Sequence, residues 1–134
     1  MSYYKEVVKN NFKDLEINFE EHEEFFVTEI GGDNAPNIRI GVLFSKDSEN
    51  LIQLTTGDFI NVRNKKQEVL RVLNQKHIEY RWVTFSIGEN GGVRCSIDTY
   101  LSKENAKFEF STLFVLMIQV VDEIYPELMK IVWG

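Results

Sequence analysis

The sequence is poor in the residues that most often carry covalent or metal chemistry. Its 134 residues include one cysteine, Cys95, and two histidines, His22 and His77. A lone cysteine forms no internal disulfide, which is typical of proteins from a reducing compartment. The histidines are far apart in the chain, and neither has a second ligand or a nucleophile at a suitable spacing. We therefore predict that the chain is not an enzyme and that it holds no metal and no cofactor.

Basic residues and long apolar runs are scarce as well. Lys and Arg number 15 against 21 Asp and Glu, and the net charge is −6. An acidic chain of this kind is a poor match for nucleic acids, whose phosphates are neutralised by Lys and Arg. The apolar stretch from Leu113 to Ile124 is interrupted by Gln119 and Asp122 and is too short to span a bilayer. The first residues, MSYYKEVVKNNFKDL, lack the apolar core of a signal peptide. We expect a cytoplasmic protein that binds neither nucleic acid nor membrane.

Apolar and aromatic residues, by contrast, are plentiful. Hydrophobic residues make up 43% of the chain and aromatic residues 13%, while 27% are charged. This balance is typical of a globular domain and not of a disordered chain. A chain of this length can bury one hydrophobic core of ordinary size, so we predict a single domain over residues 1–134.

Acidic residues are concentrated around His22, between Ile17 and Glu24. Carboxylates beside a histidine can ligate a metal. However, consecutive glutamates in an extended chain point in alternating directions and do not converge on one point. We therefore interpret the segment as a solvated loop or as the beginning of a strand.

The first half of the chain has the pattern of a helix followed by three strands. Apolar residues recur every three or four positions from Tyr3 to about Lys13, as they do on one side of an amphipathic helix. Strands are predicted at residues 25–30, 37–45 and 51–56, which are rich in apolar and β-branched residues. Short polar turns separate these strands, so we expect an antiparallel meander.

The second half predicts a helix, a hairpin and a long final helix. The helix covers residues 65 to about 77, and a strand at residues 80–87 follows it. The glycines of residues 88–92 predict a hairpin turn into the next strand. A wide apolar band marks the last helix from about Ser111, or from as early as Asn105, to Lys130. Pro126 is expected to kink or end it near Tyr125. The predicted fold is α+β, in the order α-β-β-β-α-β-β-α, with about five strands.

Alternation along the two hairpin strands separates a core face from an outer face. Cys95 falls on the core face, which predicts a buried structural thiol. The residues left on the outer face are Tyr80, Trp82 and Tyr100, with Leu43 and Leu54 as expected neighbours. If they cluster, they form an exposed apolar patch of the kind that marks a protein interface. Alternatively, a second helix or a dimer partner covers them.

Two phrases of the sequence, LNQKHIEYRWVTFSIGENGGVRCSIDTYL and VVDEIYPELM, carry a family resemblance. The first phrase contains a Leu-Asn pair at a helix end, a strand with aromatic residues and a Gly-rich hairpin. The second contains an acidic residue, an aromatic residue and a proline in close succession. These features stand here at Leu73 and Asn74, at Trp82 and Phe85, at residues 89–92 and at residues 122–126. In them the chain resembles the YbjN-like family, described as bacterial sensory transduction regulators. The resemblance implies a fold similar to type III secretion chaperones, in which a twisted antiparallel sheet carries its helices mainly on one face. It implies no catalytic residues.

The scarcity of catalytic groups and the resemblance lead to one functional hypothesis. We expect a non-enzymatic protein-interaction module, regulatory or chaperone-like, that binds an unidentified protein partner. A homodimer through the outer aromatic face or the last helix would be compatible with this function. The alternative is a small-ligand carrier or sensor with an apolar pocket between the sheet and the last helix. The residues expected to line that pocket are Phe85, Cys95, Phe114 and Met117.

Overall fold

The computed structural model describes residues 2–134 and places three helices on a seven-stranded sheet. The elements, in chain order, are α1 (Tyr3–Asp14), β1 (Glu20–Glu21), β2 (Phe25–Ile30), β3 (Ile38–Phe44), β4 (Leu51–Thr56), β5 (Ile60–Asn61), α2 (Lys66–Glu79), β6 (Thr84–Ile87), β7 (Gly92–Tyr100) and α3 (Ala106–Trp133). All strand pairs are antiparallel. The predicted α+β class is therefore confirmed.

The sheet follows the order β1-β2-β3-β4-β7, and β7 is its longest strand. One side of β7 pairs with β4 and, nearer its beginning, with β5, while its other side pairs with β6. The strands β1 and β5 raise the count above the predicted number of about five. Each contains two residues, which is too short for an alternation of apolar and polar residues to be visible in the sequence.

The hydrophobic core lies on one face of the sheet. Every second side chain of β3 and β4 is buried, and buried side chains from all three helices join them in one cluster. Within it, Phe12 of α1 packs edge-on against Phe114 of α3, with ring centroids 5.2 Å apart. The helices thus lie mainly on one face, as the resemblance implied, and the other face of the sheet is open.

One of the two leucines expected on the outer face belongs to the core. Leu54 pairs with Val42 of β3 and is fully buried, so its predicted position is wrong. The cause is the sequence of β4, in which Leu51, Ile52 and Leu54 are all apolar and leave the phase of the alternation ambiguous. Leu43 does lie on the outer face and is exposed, as predicted.

The strand predicted to begin at Tyr80 begins only at Thr84, so this part of the prediction is wrong. Helix α2 continues to Glu79, and the Tyr80 amide caps it by donating a hydrogen bond to the Lys76 carbonyl at 2.8 Å. A strand beginning at Tyr80 would have turned Arg81 toward the core, because alternate residues of a strand share one face. The charged side chain makes that arrangement unfavourable, and a turn replaces it.

Pro126 does not end α3, which continues to Trp133, so of the two predicted outcomes near Tyr125, a kink or an end, the end is wrong. Proline lacks the N–H group that would donate to the carbonyl one helical turn earlier, at Asp122. Here the Asp122 carbonyl accepts a hydrogen bond from the side-chain amide of Asn34 at 3.3 Å. The acceptor that the proline leaves free is therefore satisfied from outside the helix.

The predicted hairpin turn joins β6 to β7. The Gly88 amide donates a hydrogen bond to the Gly92 carbonyl at 2.9 Å, and Gly91 has a φ of +86°. This left-handed backbone conformation is strained for residues other than glycine, which explains the composition of the turn.

Helix α3 is long enough to span a bilayer, with 28 residues, but it is not apolar enough. Its exposed side carries Glu123, Glu127 and Lys130. Among residues 2–134, no helix combines the length and the apolar character that crossing a membrane requires.

Candidate protein interface

The three aromatic residues predicted for an interface do not share one face of the sheet. Tyr80 lies at the end of α2 and is half-buried against the core. Its hydroxyl donates a hydrogen bond to the Glu123 carboxylate of α3 at 2.6 Å. Burial, aided by this carboxylate, raises the pKa of Tyr80 to about 12, so the hydroxyl stays protonated and remains a donor. Tyr80 therefore links α2 to α3 and does not belong to the outer face.

Trp82 and Tyr100 are exposed, by 53% and 64% respectively. Trp82 lies in the turn before β6, and Tyr100 is the last residue of β7. Thr84, the first residue of β6, pairs with Ser96 of β7. Both aromatic side chains thus belong to the region where β6 begins and β7 ends.

Phe108, which the sequence did not single out, joins this region. It lies in the first turn of α3 and is 75% exposed. Phe108 and Tyr100 line one groove of about 300 Å³. The other lining residues are Thr99, Glu109, Thr112 and Leu113. Trp82 does not line this groove; we call the exposed side chains of Trp82, Tyr100 and Phe108 together the aromatic surface.

A signal for Phe108 was present in the sequence. Phe110, two positions later, is fully buried and contacts Phe12 and Phe114. Residues two positions apart lie on nearly opposite sides of a helix, so both phenylalanines cannot face the same core. If the last helix is predicted to begin at Asn105, this spacing identifies Phe108 as an exposed residue. If it is predicted to begin at Ser111, Phe108 lies outside the helix and the argument does not apply.

The backbone of β7 has one side that faces β4 and β5 along its whole length. The Cys95 amide donates a hydrogen bond to the Thr56 hydroxyl at 2.9 Å, and the Leu101 amide donates to the Asn50 carbonyl at 2.8 Å. Because N–H and C=O groups alternate in direction along a strand, the odd-numbered residues of β7 point to β4 and β5. The even-numbered residues point to the opposite side, where β6 lies.

Beyond Ser96 this second side of β7 has no neighbouring strand. Strand β6 begins at Thr84, opposite Ser96, so the outward groups of Asp98 and Tyr100 meet no strand. Within residues 2–134, neither of these two amides has a hydrogen-bond acceptor, and the Tyr100 carbonyl accepts only from the adjacent Thr99 hydroxyl, at 3.3 Å. We call the backbone of residues 98–100 the open edge.

The outer edge of β6, in contrast, is covered at its centre. The Phe85 amide points away from β7 and donates a hydrogen bond to Nε2 of His77 at 2.8 Å. His77 projects from α2, and its ring lies 5.4 Å from the Phe85 ring. The sheet edge that faces away from β4 is therefore covered by the His77 side chain at β6, but it is uncovered at the end of β7.

A second region of the molecule satisfies its backbone groups with a carboxylate. The turn between β2 and β3 docks on α3, where Oδ1 of Asp122 accepts hydrogen bonds from the amides of Asn34 at 2.7 Å and Ala35 at 2.8 Å. These bonds, that of Ala35 first, lower the pKa of Asp122 below its ordinary value. With the bond from the Asn34 side chain to the Asp122 carbonyl, three hydrogen bonds hold the turn. We call residues 31–36 together with Asp122 the closed turn.

The acidic segment around His22 contains strand β1 and a pair between the His22 and Glu20 side chains. Nε2 of His22 lies 3.5 Å from Oε2 of Glu20 in β1, and the imidazole stacks on Phe25 with ring centroids 4.4 Å apart. Across residues 2–134, no group of three His, Cys, Asp or Glu side chains is placed to hold a metal ion. The interpretation of this segment as the beginning of a strand matches β1.

The residues expected to line a ligand pocket are part of the packed core. They are Phe85, Cys95, Phe114 and Met117, and all of them are buried in the same hydrophobic cluster. None of them lines the groove beside Tyr100. Burial raises the pKa of the Cys95 thiol to about 12, so almost no nucleophilic thiolate forms at neutral pH, and the prediction of a buried structural thiol is confirmed.

A scan against models of known protein families gives no match for this chain, and a search of curated proteins finds no similar sequence. The resemblance to the YbjN-like family therefore stays a prediction. The fold has the element types that the resemblance implies, but a shared architecture does not establish a function. Function has to be inferred from the exposed surface itself.

Proposed function

We propose that this protein is a non-enzymatic interaction module, regulatory or chaperone-like, that binds a protein partner through its aromatic surface. Membership of the YbjN-like family and a cytoplasmic location are part of this proposal. The observation that carries it is the groove between Tyr100 and Phe108, whose two aromatic walls are each more than half exposed.

The energetic basis of the proposal is the apolar area that these side chains leave in water. Burying one large apolar side chain is worth about 1.5–3 kcal/mol relative to leaving it exposed. Aromatic residues are enriched at the centres of protein interfaces, and an exposed apolar patch with a polar rim is typical of a binding site. The rim here is supplied by Asp98, which is exposed beside Tyr100.

The carrier hypothesis has no comparable observation in its favour, because its four lining residues are packed together in the core. A homodimer is a second way to cover the aromatic surface. It is detected by the same measurements, since Trp82 and Tyr100 would then be needed for self-association.

The test is affinity capture from a lysate of the source organism, combined with light scattering of the purified protein. The variant Trp82→Ala/Tyr100→Ala removes two of the three exposed rings of the aromatic surface. The matched control is Leu15→Ala, because Leu15 is an exposed apolar residue at the end of α1. We expect the wild type and Leu15→Ala to capture the same partner, or to form the same dimer, and the double variant to lose it.

The contradictory result would be equal capture by all three proteins. A monomer that captures nothing in any form would also count against the proposal. Thermal melting of the variants separates loss of binding from loss of folding, since both aromatic residues are exposed and their replacement should change stability by only about 0.5 kcal/mol.

A further inference from the structure

An open strand edge specifies the shape of what can bind to it. The outward N–H and C=O groups of Asp98 and Tyr100 have the spacing of a strand, so they match the backbone of another extended chain. The Asp98 side chain lies on the outer face and the Thr99 side chain faces α3, while Tyr100, at the end of β7, lines the groove together with Thr99. A strand placed here would direct alternate side chains into the groove and over the outer face.

Residues 80–83, which precede β6, do not pair with the open edge. The register of β6 pairs Thr84 with Ser96 and, if it continued, would set Arg81 opposite Thr99. Arg81 would then point between the sheet and α3, where Leu113 and Phe108 line the groove. An arginine is a poor fit to the apolar walls of this groove, and the chain instead continues α2 to Glu79 and then turns. A segment with an apolar residue at this position has no such obstacle.

The side chains around the open edge define the chemistry of the occupant. Opposite Thr99, the groove favours an apolar side chain, because Phe108 and Leu113 form its walls. Opposite Asp98, a basic side chain is favoured, because opposite charges on paired residues stabilise antiparallel strands. The net charge of −6 acts in the same direction. The Asp98 carboxylate accepts one hydrogen bond, from the side-chain amide of Gln53 at 2.9 Å, through Oδ1. The Glu109 carboxylate, which lines the groove, accepts bonds from the amide and hydroxyl of Ser102 at 2.7 and 2.9 Å, both through Oε1.

We propose that the open edge binds an extended segment of a partner protein as an additional strand, antiparallel to β7 and in line with β6. The segment places an apolar side chain in the groove between Thr99 and Phe108 and a basic side chain opposite Asp98. In this mode of recognition, backbone hydrogen bonds provide affinity and the alternate side chains provide specificity. The inference rests on the proposed function, because it states how the partner is held.

The probe is a displayed library of random linear peptides, selected on the full-length protein. We expect the selected peptides to share a basic residue next to an apolar one, in an extended segment without proline. The dissociation constant of one synthetic peptide is then measured by fluorescence anisotropy. Amide exchange, followed by nuclear magnetic resonance, shows whether the Asp98 and Tyr100 amides become protected when this peptide binds.

Two pairs of variants locate the binding site. Tyr100→Pro removes an amide that points away from β4, so the existing sheet keeps its hydrogen bonds, and Tyr100→Ala is the control that removes only the ring. Thr112→Arg fills the groove from the exposed side of α3, and Gln119→Arg adds the same side chain farther along that helix. We expect Tyr100→Pro and Thr112→Arg each to weaken peptide binding by roughly tenfold or more relative to its control. Circular dichroism verifies folding, and Thr112→Arg remains decisive if Tyr100→Pro does not fold.

Several results would overturn the inference. They are a library that yields no binding peptide, a bound peptide that leaves the Asp98 and Tyr100 amides unprotected, and equal affinities within both variant pairs. Protection of these amides by a concentration-dependent dimer would instead identify a second copy of this chain as the occupant. If capture from lysate is lost in Trp82→Ala/Tyr100→Ala but kept in Thr112→Arg, the proposed function stands and the strand-addition mode fails. If the wild type captures nothing, the proposed function itself fails.

Discussion

The closed turn and the open edge deal with free backbone groups in opposite ways. At the closed turn, the Asp122 carboxylate accepts two turn amides, and Asn34 bonds the carbonyl that Pro126 leaves free. At the open edge, the amides of Asp98 and Tyr100 have no acceptor within residues 2–134. Both regions lie along α3, so the same helix anchors one turn and leaves one strand end uncovered. The fold thus satisfies the backbone groups of the closed turn and leaves those of the open edge free.

We expect the closed turn to contribute to stability and the open edge to contribute to binding. Exposed amides bond to water and cost the folded state little, whereas removing the Asp122 carboxylate from the closed turn leaves the partly buried Ala35 amide without its partner and releases the Asn34 amide to water. Substitutions at the closed turn should therefore change the free energy of unfolding, and substitutions at the open edge should change association.

Of the two regions, the closed turn should give the larger change in stability. Asp122→Ala should lower the free energy of unfolding by about 2 kcal/mol, because two charge-assisted hydrogen bonds are lost, of which only that from the Ala35 amide is partly buried. Urea denaturation followed by circular dichroism measures this. Glu127→Ala, an exposed position of the same helix, is the control and should change stability by under about 1 kcal/mol. Equal effects of the two substitutions would mean that the closed turn does not stabilise the fold.

The pH dependence of stability is a second test of the contribution of Asp122 to the closed turn. Its pKa is lower in the folded than in the unfolded state, so its contribution is complete above the unfolded value of about 4. The contribution is lost as the pH falls through the folded value. Asp122→Asn keeps the shape without the charge, and the difference in unfolding free energy between it and the wild type should therefore stay constant above about pH 5 and shrink as the pH falls below about 4. A difference that also stays constant below about pH 4 would contradict the assignment.

The strands with clear alternation were predictable, and so were the helices with an apolar stripe. The predicted strand at residues 25–30 matches β2, and the helix predicted from Tyr3 to about Lys13 matches α1. The end of α2 was not predictable in the same way. Residues 80–87 have the composition of a strand, but the packing of Tyr80 on Glu123 and the cost of turning Arg81 inward depend on α3, which is distant in sequence.

Two of the three predicted site residues, Trp82 and Tyr100, are exposed as expected, and Tyr80 is not. Phe108 was missed because the beginning of α3 was left open. The open edge itself was not predictable, since it exists only because a strand that the composition favours does not form there. A pattern in the sequence shows which residues prefer a strand but not where a neighbouring strand ends.

An intermediate effect is expected at His77, on the covered part of the edge. His77→Ala removes the acceptor of the Phe85 amide and should lower the free energy of unfolding by about 1 kcal/mol. Hydrogen exchange should show the Phe85 amide becoming less protected. His22→Ala, which removes an exposed histidine, is the control and should leave both quantities nearly unchanged. An unaltered Phe85 amide in His77→Ala would show that the edge of β6 is covered by something else.

The smallest effect on stability is expected at the aromatic surface. Phe108→Ala and Tyr100→Ala should each change the free energy of unfolding by under about 0.5 kcal/mol, because both side chains are mostly exposed. Phe110→Ala, two positions along α3, should cost about 3–5 kcal/mol. Denaturation curves of the three variants test this. A large loss in Phe108→Ala would place its side chain in the core and remove it from the interface.

Amide hydrogen exchange along β7 of the free protein tests the open edge most directly. The Ile97 and Thr99 amides face Leu54 and Ile52 of β4 and should exchange slowly. The Asp98 and Tyr100 amides should exchange faster by a factor on the order of a hundred or more, because only water bonds them. Equal protection of all four amides in the monomeric protein would show that the edge is covered and that this surface is not a strand-binding site.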